Sequence, residues 1–182
     1  QFADAGIQLD KQAGTHHLTY GADAEVTWGE SPDDEQFTIT PVGGTPAKAA
    51  PDSTWGTLGV YVQDLWQVTP CLALTGSLRF DVQHFVSDPD AAYTPPGGLD
   101  PAEDAFDEVE TALVGGLQAA YDLSACLTAY GGWTRGFRQF APRFGATQQG
   151  YGVVTPTGLL DPVTADQFEL GARWRSRVFQ AE

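Results

Sequence analysis

The residues best suited to ligand chemistry lie in and beside the long segment 139–164, which is rich in Gly, Pro and Gln. The predicted ligand-binding residues are Arg138, Arg143, Gln148, Gln149 and Tyr151. Two guanidinium groups can clamp a carboxylate or a phosphate, and a tyrosine adds a flat amphipathic surface. The same residues also fit ordinary loop and lumen polarity without any ligand contact, and the sequence leaves both readings open.

The other reactive residue types form no recognisable catalytic or zinc-binding pattern. No GxSxG element is present, so nothing indicates a serine nucleophile on a strand-to-helix turn. His16, His17 and His84 are the only histidines, and no HxxxH spacing occurs among them. We therefore predict a protein that is not an enzyme, with no metal site and no cofactor.

Acidic residues are concentrated in two of the loop-like segments. Asp33, Asp34 and Glu35 form one cluster, and a second runs from Asp100 to Glu110. Oxygen-rich clusters can hold calcium, but the EF-hand spacing is absent and a solvated acidic loop is the simpler interpretation. A loop surface this negative disfavours anionic ligands unless arginines offset it locally.

The two cysteines, Cys71 and Cys126, occupy equivalent places, each just after a short turn. If the strands pair in sequence order, one strand separates them, which corresponds to roughly 10 Å. A disulfide requires Cα atoms within about 7 Å. We therefore predict two separate thiols at strand starts.

Net charge and hydropathy exclude several classes of function. The chain of 182 residues has a net charge of −15, which argues against a nucleic-acid partner. The sequence contains no run of about 18 apolar residues, so it predicts no transmembrane helix. The chain begins at Gln1 and contains no methionine, so we expect it to be a piece of a longer protein.

Strict alternation of apolar and polar residues is the strongest structural signal, and it is clearest in the hairpin 55–81. One row of the second strand holds Leu72, Leu74, Leu78 and Phe80, and the other holds Thr75, Ser77, Arg79 and Asp81. Period-two alternation places one row on each side of a sheet. We predict that the apolar row lies on a convex face and the polar row on a concave face.

Seven such segments follow one another, joined alternately by short turns and long loops. The predicted strands are 1–9, 16–28, the two strands of 55–81, 107–121, 126–138 and 165–178. Aromatic residues near their ends are Trp28, Trp55, Trp66, Tyr121, Trp133 and Trp174. This pattern is typical of an outer-membrane β-barrel, with apolar residues facing lipid and Gln63, Arg79, Asp81 and Glu169 facing a wet lumen. The predicted fold class is all-β, an antiparallel up-and-down meander forming part of a transmembrane β-barrel. A soluble β-sandwich is the alternative.

Five phrases in order resemble strands of the TonB-dependent outer-membrane receptors. They are residues 17–23 (HLTYGAD), 59–66 (GVYVQDLW), 74–81 (LTGSLRFD), 136–142 (GFRQFAP) and 161–171, which contains FELG. They are similar to the HxLxYGxD, GxYxQDxW, LxxGLRYD, GFRxP and NPxLxPExxxxYELG elements of that family. The departures are Thr157-Gly158, where Asn-Pro is usual, and Val163, where Glu is usual.

The resemblance implies an internal segment, residues 1–182, of a 22-stranded barrel whose plug domain and C-terminus lie outside it. Its implied partners are the TonB system through the plug, outer-membrane lipid, and a scarce small-molecule ligand such as a ferric siderophore or haem. The implied location is the bacterial outer membrane. No histidine lies between Pro142 and Thr157, which weakens the interpretation as a haem receptor. A passive porin-like barrel and a soluble secreted β-rich binding module remain alternatives.

Overall fold

The structure, a computed structural model, describes seven long strands and parts of their connections. The described residues are 1–29, 38–39, 47–48, 51–90, 93, 102, 105–138, 163–175 and 180–181. Within them no helix is long and apolar enough to cross a membrane.

Seven long strands form one antiparallel sheet in chain order. They are β1 (Phe2–Ala13), β2 (His16–Gly29), β5 (Asp52–Thr69), β6 (Leu72–Asp88), β7 (Phe106–Ser124), β8 (Leu127–Arg138) and β9 (Val163–Arg175). Three two-residue strands are β3 (Thr38–Ile39), β4 (Ala47–Lys48) and β10 (Gln180–Ala181). β10 pairs with β9, whereas β3 and β4 pair only with each other. The meander of seven strands predicted from alternation is confirmed.

Two of the three short turns are tighter than the sequence suggested, because the strands run further into them. β1 continues to Ala13, so the predicted turn 10–15 shrinks to Gly14 and Thr15. Gly14 has φ of 62°, a conformation that a residue with a Cβ rarely adopts. At the β7–β8 connection the predicted turn 122–125 is likewise wrong, and Ala125 and Cys126 make the turn instead.

The same shift moves both cysteines out of the strands. Cys71 follows Pro70 in the β5–β6 turn, and Cys126 is the second residue of the β7–β8 turn. The predicted placement at strand starts is therefore wrong by one residue. The prediction of separate thiols is confirmed, because both are free and exposed. We call this edge of the sheet, with its three short turns, the turn end, and the opposite edge the loop end.

Register pairing assigns every long strand to the same two faces, since directly opposed residues point to the same side. Leu78 pairs with Val62 and Gly115, and Arg79 pairs with Tyr61 and Val114. We call the side bearing Leu72, Leu74, Leu78 and Phe80 the apolar face. The polar face bears Thr75, Ser77, Arg79 and Asp81. The predicted row assignments are thus confirmed.

The apolar face is exposed, and burial is confined to the polar face. On the apolar face, Leu78 and Phe80 are 51% and 41% exposed. On the polar face of the same strand, Asp81 is 2% exposed. Along β6, residues of the polar face grow more buried toward the loop end, up to Ser87. No second layer covers the apolar face within the described part of the chain, so a soluble sandwich with these rows as its core is not what forms.

Most of the large aromatics noted in the sequence lie on the apolar face. Trp66 and Trp28 stand near opposite ends of their strands there. Trp55 is the exception, because it pairs with Phe85 on the polar face, where the two rings meet at 6.3 Å and 59°. Its odd position in β5 had already set it apart from the apolar row.

Candidate functional site

The predicted ligand-binding residues fall mostly outside the described structure. Arg138 is the last residue of β8 and pairs with Val163 of β9, which places its backbone at the loop end on the polar face. Its side chain, and the residues Arg143, Gln148, Gln149 and Tyr151, lie outside the described parts of the chain. Their grouping around a ligand therefore stays a prediction.

At the centre of the polar face, one arginine binds a carboxylate on its own strand and another two strands away. Arg79 on β6 donates two parallel hydrogen bonds to Asp23 on β2, with Nη1–Oδ1 of 2.7 Å and Nη2–Oδ2 of 2.8 Å. It also donates from Nε to Asp81, at 2.8 and 3.0 Å to the two carboxylate oxygens. Planar guanidinium geometry suits this double clamp, and Asp81 is almost fully buried beside it.

The intervening strand β5 has a glycine where the arginine passes over it. Gly59 lies between Asp23 and Asp81 in the register, and a Cβ at Gly59 would overlap the Arg79 guanidinium. The small residue therefore lets an ion pair reach across a whole strand. Sequence reasoning placed Arg79 and Asp81 on this face but missed Asp23 as their partner, although its parity in β2 was the available signal.

A tyrosine lies over a glycine on the neighbouring strand at two separate places. The Tyr61 hydroxyl lies over Gly21 and donates to Gln8 Oε1 at 3.1 Å, while the Arg79 guanidinium lies 5.9 Å from the Tyr61 ring. Further along the same face, Tyr130 on β8 covers Gly171 on β9 in the same way, and Arg173 lies 5.9 Å from its ring. The ring covers backbone that a glycine would otherwise leave bare, which stiffens a curved sheet.

The second of these tyrosines borders a concavity of about 410 Å³ in the turn half of the polar face. Its lining includes the small residues Ala73, Ala120 and Gly132 and the larger polar residues Tyr130, Glu169 and Arg173. Small residues on adjacent strands leave this space open. It is a recess in the sheet that a packed side chain or a small ligand group could occupy.

Acidic groups outnumber basic ones on the polar face of the described strands. The carboxylates are Asp4, Asp10, Asp23, Glu25, Asp81, Glu108, Glu110, Asp122 and Glu169. The guanidiniums with described side chains are Arg79, Arg173 and Arg175. Arg173 and Arg175 lie near the turn end, whereas Arg79 lies at the centre of the face and is already held by Asp23 and Asp81. The field of this wall is therefore negative.

A second bidentate arginine pair lies on the apolar face, where the sequence had not predicted one. Arg135 on β8 donates to Asp166 on β9, with Nε–Oδ1 of 2.9 Å and Nη2–Oδ2 of 2.8 Å. Trp133 Nε1 donates to the same carboxylate at 2.9 Å, and its ring lies 5.9 Å from the guanidinium. Arg135 shares its parity with Trp133, and Asp166 with Phe168, so both charges interrupt an apolar row.

The histidines are engaged in pairs with carboxylates rather than grouped together. His16 Nδ1 lies 2.7 Å from Asp64 Oδ2 and its ring stacks on Trp66 at 5.3 Å. His84 lies on the apolar face with Nε2 2.6 Å from Asp107 Oδ1. Among the described residues no group of three His, Cys, Asp or Glu side chains has the geometry to hold a metal ion.

A single antiparallel sheet with an exposed apolar face and an ion-paired polar face defines a segment of a membrane β-barrel. The sequence matches the family described as "TonB dependent receptor-like, beta-barrel" over residues 2–182. The chain belongs to this family of outer-membrane proteins, and in barrels of this kind the apolar face is turned to lipid and the polar face to the lumen. No curated protein sequence matches the chain.

Three solved structures share this fold. The first is "Copper transporter OprC", with a TM-score of 0.68 and 16% identity, covering 97% of this chain and 27% of that one. The second is the ferric yersiniabactin uptake receptor FyuA from Yersinia pestis, with a TM-score of 0.60 and 16% identity, covering 97% of this chain and 26% of that one. The third is the closed form of the ferric-catecholate import receptor Fiu from E. coli K12, with a TM-score of 0.52 and 18% identity, covering 95% of this chain and 28% of that one. The chain thus spans about a quarter of the length of each. All three are named as transporters or receptors, and the ligands in their names differ.

Proposed function

We propose that this chain is an internal barrel segment of a receptor that imports a scarce ligand across the bacterial outer membrane with energy from the TonB system. The observation that carries the proposal is the family match along residues 2–182, on a sheet whose apolar side is bare. A plug domain inside the completed barrel supplies the contact with TonB. The ligand class is an iron chelate such as a ferric siderophore, or haem.

Growth under iron limitation tests this function on the whole receptor. Cells that depend on the receptor gene for iron grow when TonB is present and stop when TonB is deleted. Receptor-dependent growth without TonB would instead identify a passive porin-like barrel. The test separates the two membrane alternatives because a passive pore needs no energy source.

The ligand contacts proposed at the loop end are Arg138, Arg143, Gln148, Gln149 and Tyr151. Their support is the backbone of Arg138 at the loop-end rim of the lumen, where an entering ligand arrives first. Alanine at Arg138 and Arg143 together lowers ligand affinity about tenfold or more, because a bidentate clamp is lost. Arg175→Ala, a polar-face arginine at the turn end, serves as the matched control and leaves affinity unchanged.

A further inference from the structure

Two basic side chains lie on the apolar face close to the turn end, one on each side of the first short turn. Lys11 is the third residue from the end of β1, and His16 begins β2. Lys11 pairs with Leu18 and His16 pairs with Ala13, so the two basic residues are diagonal neighbours. Diagonal neighbours on antiparallel strands lie about 7–8 Å apart, within reach of long side chains. Both side chains can therefore contact one small group.

His16 is held by two residues of β5 and has one ring nitrogen left over. Its Nδ1 lies 2.7 Å from Asp64 Oδ2, and its ring stacks on Trp66 with an angle of 12° between the planes. Because a carboxylate only accepts, Nδ1 is the donor, and a protonated ring has Nε2–H as a second donor. No described residue binds Nε2, and the His16 side chain is 40% exposed.

Lys11 is exposed and has no counter-charge in the described part of the chain. It makes no hydrogen bond or ion pair with a described residue. Arg135, on the same face but toward the loop end, already binds Asp166 through two nitrogens. An ammonium group beside hydrocarbon is costly unless it reaches water or an opposite charge. The environment of Lys11 therefore favours an anionic partner that comes from outside the described strands.

An exposed apolar surface continues from the two basic residues toward the loop end. The next row of the register holds Leu9, Tyr20 and Val62, and all three are exposed. We call these three residues the apolar strip. Basic groups next to an apolar strip match an amphiphile that has an anionic headgroup and acyl chains. Because the short turns of such barrels face the periplasm, the lipid would come from the periplasmic leaflet.

We propose that Lys11 and His16 form a headgroup site for a glycerophospholipid of the periplasmic leaflet, with its phosphodiester between the two side chains. The acyl chains lie along the apolar strip, and Asp64 and Trp66 hold the imidazole ring in place. An ammonium, a protonated imidazole and the Asp64 carboxylate sum to one positive charge, which the single negative charge of a phosphodiester balances. The site is on the lipid side of the sheet, so it does not depend on which ligand the receptor imports.

Native mass spectrometry of the purified whole receptor in a non-ionic detergent tests the site. The probes are phosphatidylethanolamine and a diacylglycerol with the same acyl chains but no phosphate. We expect the phospholipid to bind at least tenfold more tightly. Lys11→Gln and His16→Gln each weaken phospholipid binding about tenfold, because a charge-assisted hydrogen bond is lost, and leave diacylglycerol binding unchanged. Arg135→Gln is the matched control and changes phospholipid binding less than twofold, because Asp166 already engages this arginine.

Three results would overturn the headgroup site. They are equal binding of the two lipids, unchanged phospholipid binding in the Lys11→Gln receptor, and a loss in the Arg135→Gln receptor as large as that in Lys11→Gln. Inorganic phosphate in large excess should not displace the lipid, and displacement would identify a site for the free anion instead. Lys11 is exposed and makes no contact that folding needs in the described strands, so the Lys11→Gln receptor keeps its folded, heat-modifiable band in electrophoresis.

Discussion

Two arginines with almost the same local geometry lie on opposite sides of this sheet. Arg79 and Arg135 each clamp a carboxylate on another strand at 2.7–2.9 Å, and each lies 5.9 Å from an aromatic ring. On the lumen side, Arg79 binds two carboxylates, and the Asp81 side chain is 3% exposed. On the lipid side, Arg135 binds one, and Asp166 is 39% exposed. The surroundings of each ion pair, rather than its own geometry, therefore decide how much it contributes to stability.

The position of Arg135 along its strand explains why a charge is tolerated on the lipid side. It stands nine residues beyond Cys126 at the turn end, a height of about 22 Å for a strand tilted by about 40°. The apolar band of an outer-membrane barrel is about 25 Å tall, so Arg135 and Trp133 lie at its upper boundary. His16, Asp64 and Trp66 occupy the lower boundary at the turn end. Polar groups thus mark both limits of the lipid face.

The assignment of the two faces is tested most directly by placing the same charge on each face, at two adjacent residues. Leu78→Arg puts a guanidinium within the apolar band, between its midplane and its upper boundary, and lowers the free energy of unfolding by about 1–3 kcal/mol. Ser77→Arg, on the lumen side, changes it by less than about 1 kcal/mol because water and polar neighbours surround it. The measurement is urea unfolding of the whole receptor in phospholipid vesicles. Equal losses from both substitutions would contradict the assignment of the two faces.

The two ion pairs are compared next by removing one carboxylate from each. Asp81→Ala removes an almost fully buried carboxylate from the part-buried Arg79 guanidinium and costs about 2 kcal/mol of stability, although Asp23 still holds Arg79. Asp166→Ala removes a half-exposed partner at the membrane boundary and costs less stability than Asp81→Ala, because solvent screens an exposed pair. The same unfolding assay ranks the two variants. A larger loss at Asp166 would mean that lipid, rather than the buried lumen wall, makes the more demanding surroundings.

Alternation was enough to predict both faces, but not the links across them. Period two places Arg79, Asp81 and Asp23 on one side, and the ordered motifs identify the family. Which carboxylate meets which arginine depends on register, and a shift of a strand by two residues keeps every parity while changing every partner. Asp23 and Arg79 are 56 residues apart and meet only because β5 has Gly59 between them. No local pattern carries that information.

Turn boundaries escaped prediction for a related reason. Polar residues such as Asp10 and Asp122 look like turn residues, yet their side chains point into the lumen from regular strand. Thr19 donates to Asp10 at 2.6 Å, and Thr128 donates to Asp122 at 2.6 Å. On a sheet whose polar face is itself lined with charge, polarity no longer distinguishes strand from turn. The candidate ligand residues from Arg143 to Tyr151 lie outside the described residues, in a segment for which alternation made no prediction.

Two glycines, one on each face, compare the packing of the two faces at the level of a single methyl group. Gly21→Ala would set a Cβ against the backbone oxygen of Ile7 and the covering Tyr61 ring, so we expect a loss of about 1–2 kcal/mol. Gly76→Ala is the matched control, because no atom lies within 4 Å of its Cβ position on the lipid side. That variant stays within about 0.5 kcal/mol of the parent or gains slightly, since the unfolded chain loses freedom. A gain at Gly21 would show that the tyrosine ring is not packed against it.

Replacing the two cysteines has the smallest expected effect on stability, but their labelling can distinguish the two ends of the barrel. Cys71→Ser and Cys126→Ser each change the free energy of unfolding by less than about 0.5 kcal/mol, because both thiols are exposed, free and in turns. Their chemistry is more informative than their energy. A polyethylene-glycol maleimide too large for porins should leave both thiols unlabelled in intact cells and label them once the outer membrane is opened. Asp88→Cys in the background lacking both native thiols should react in intact cells, since Asp88 ends β6 at the loop end. The reverse pattern would place the short turns outside the cell and invert the receptor, because short turns face the periplasm in barrels of this kind.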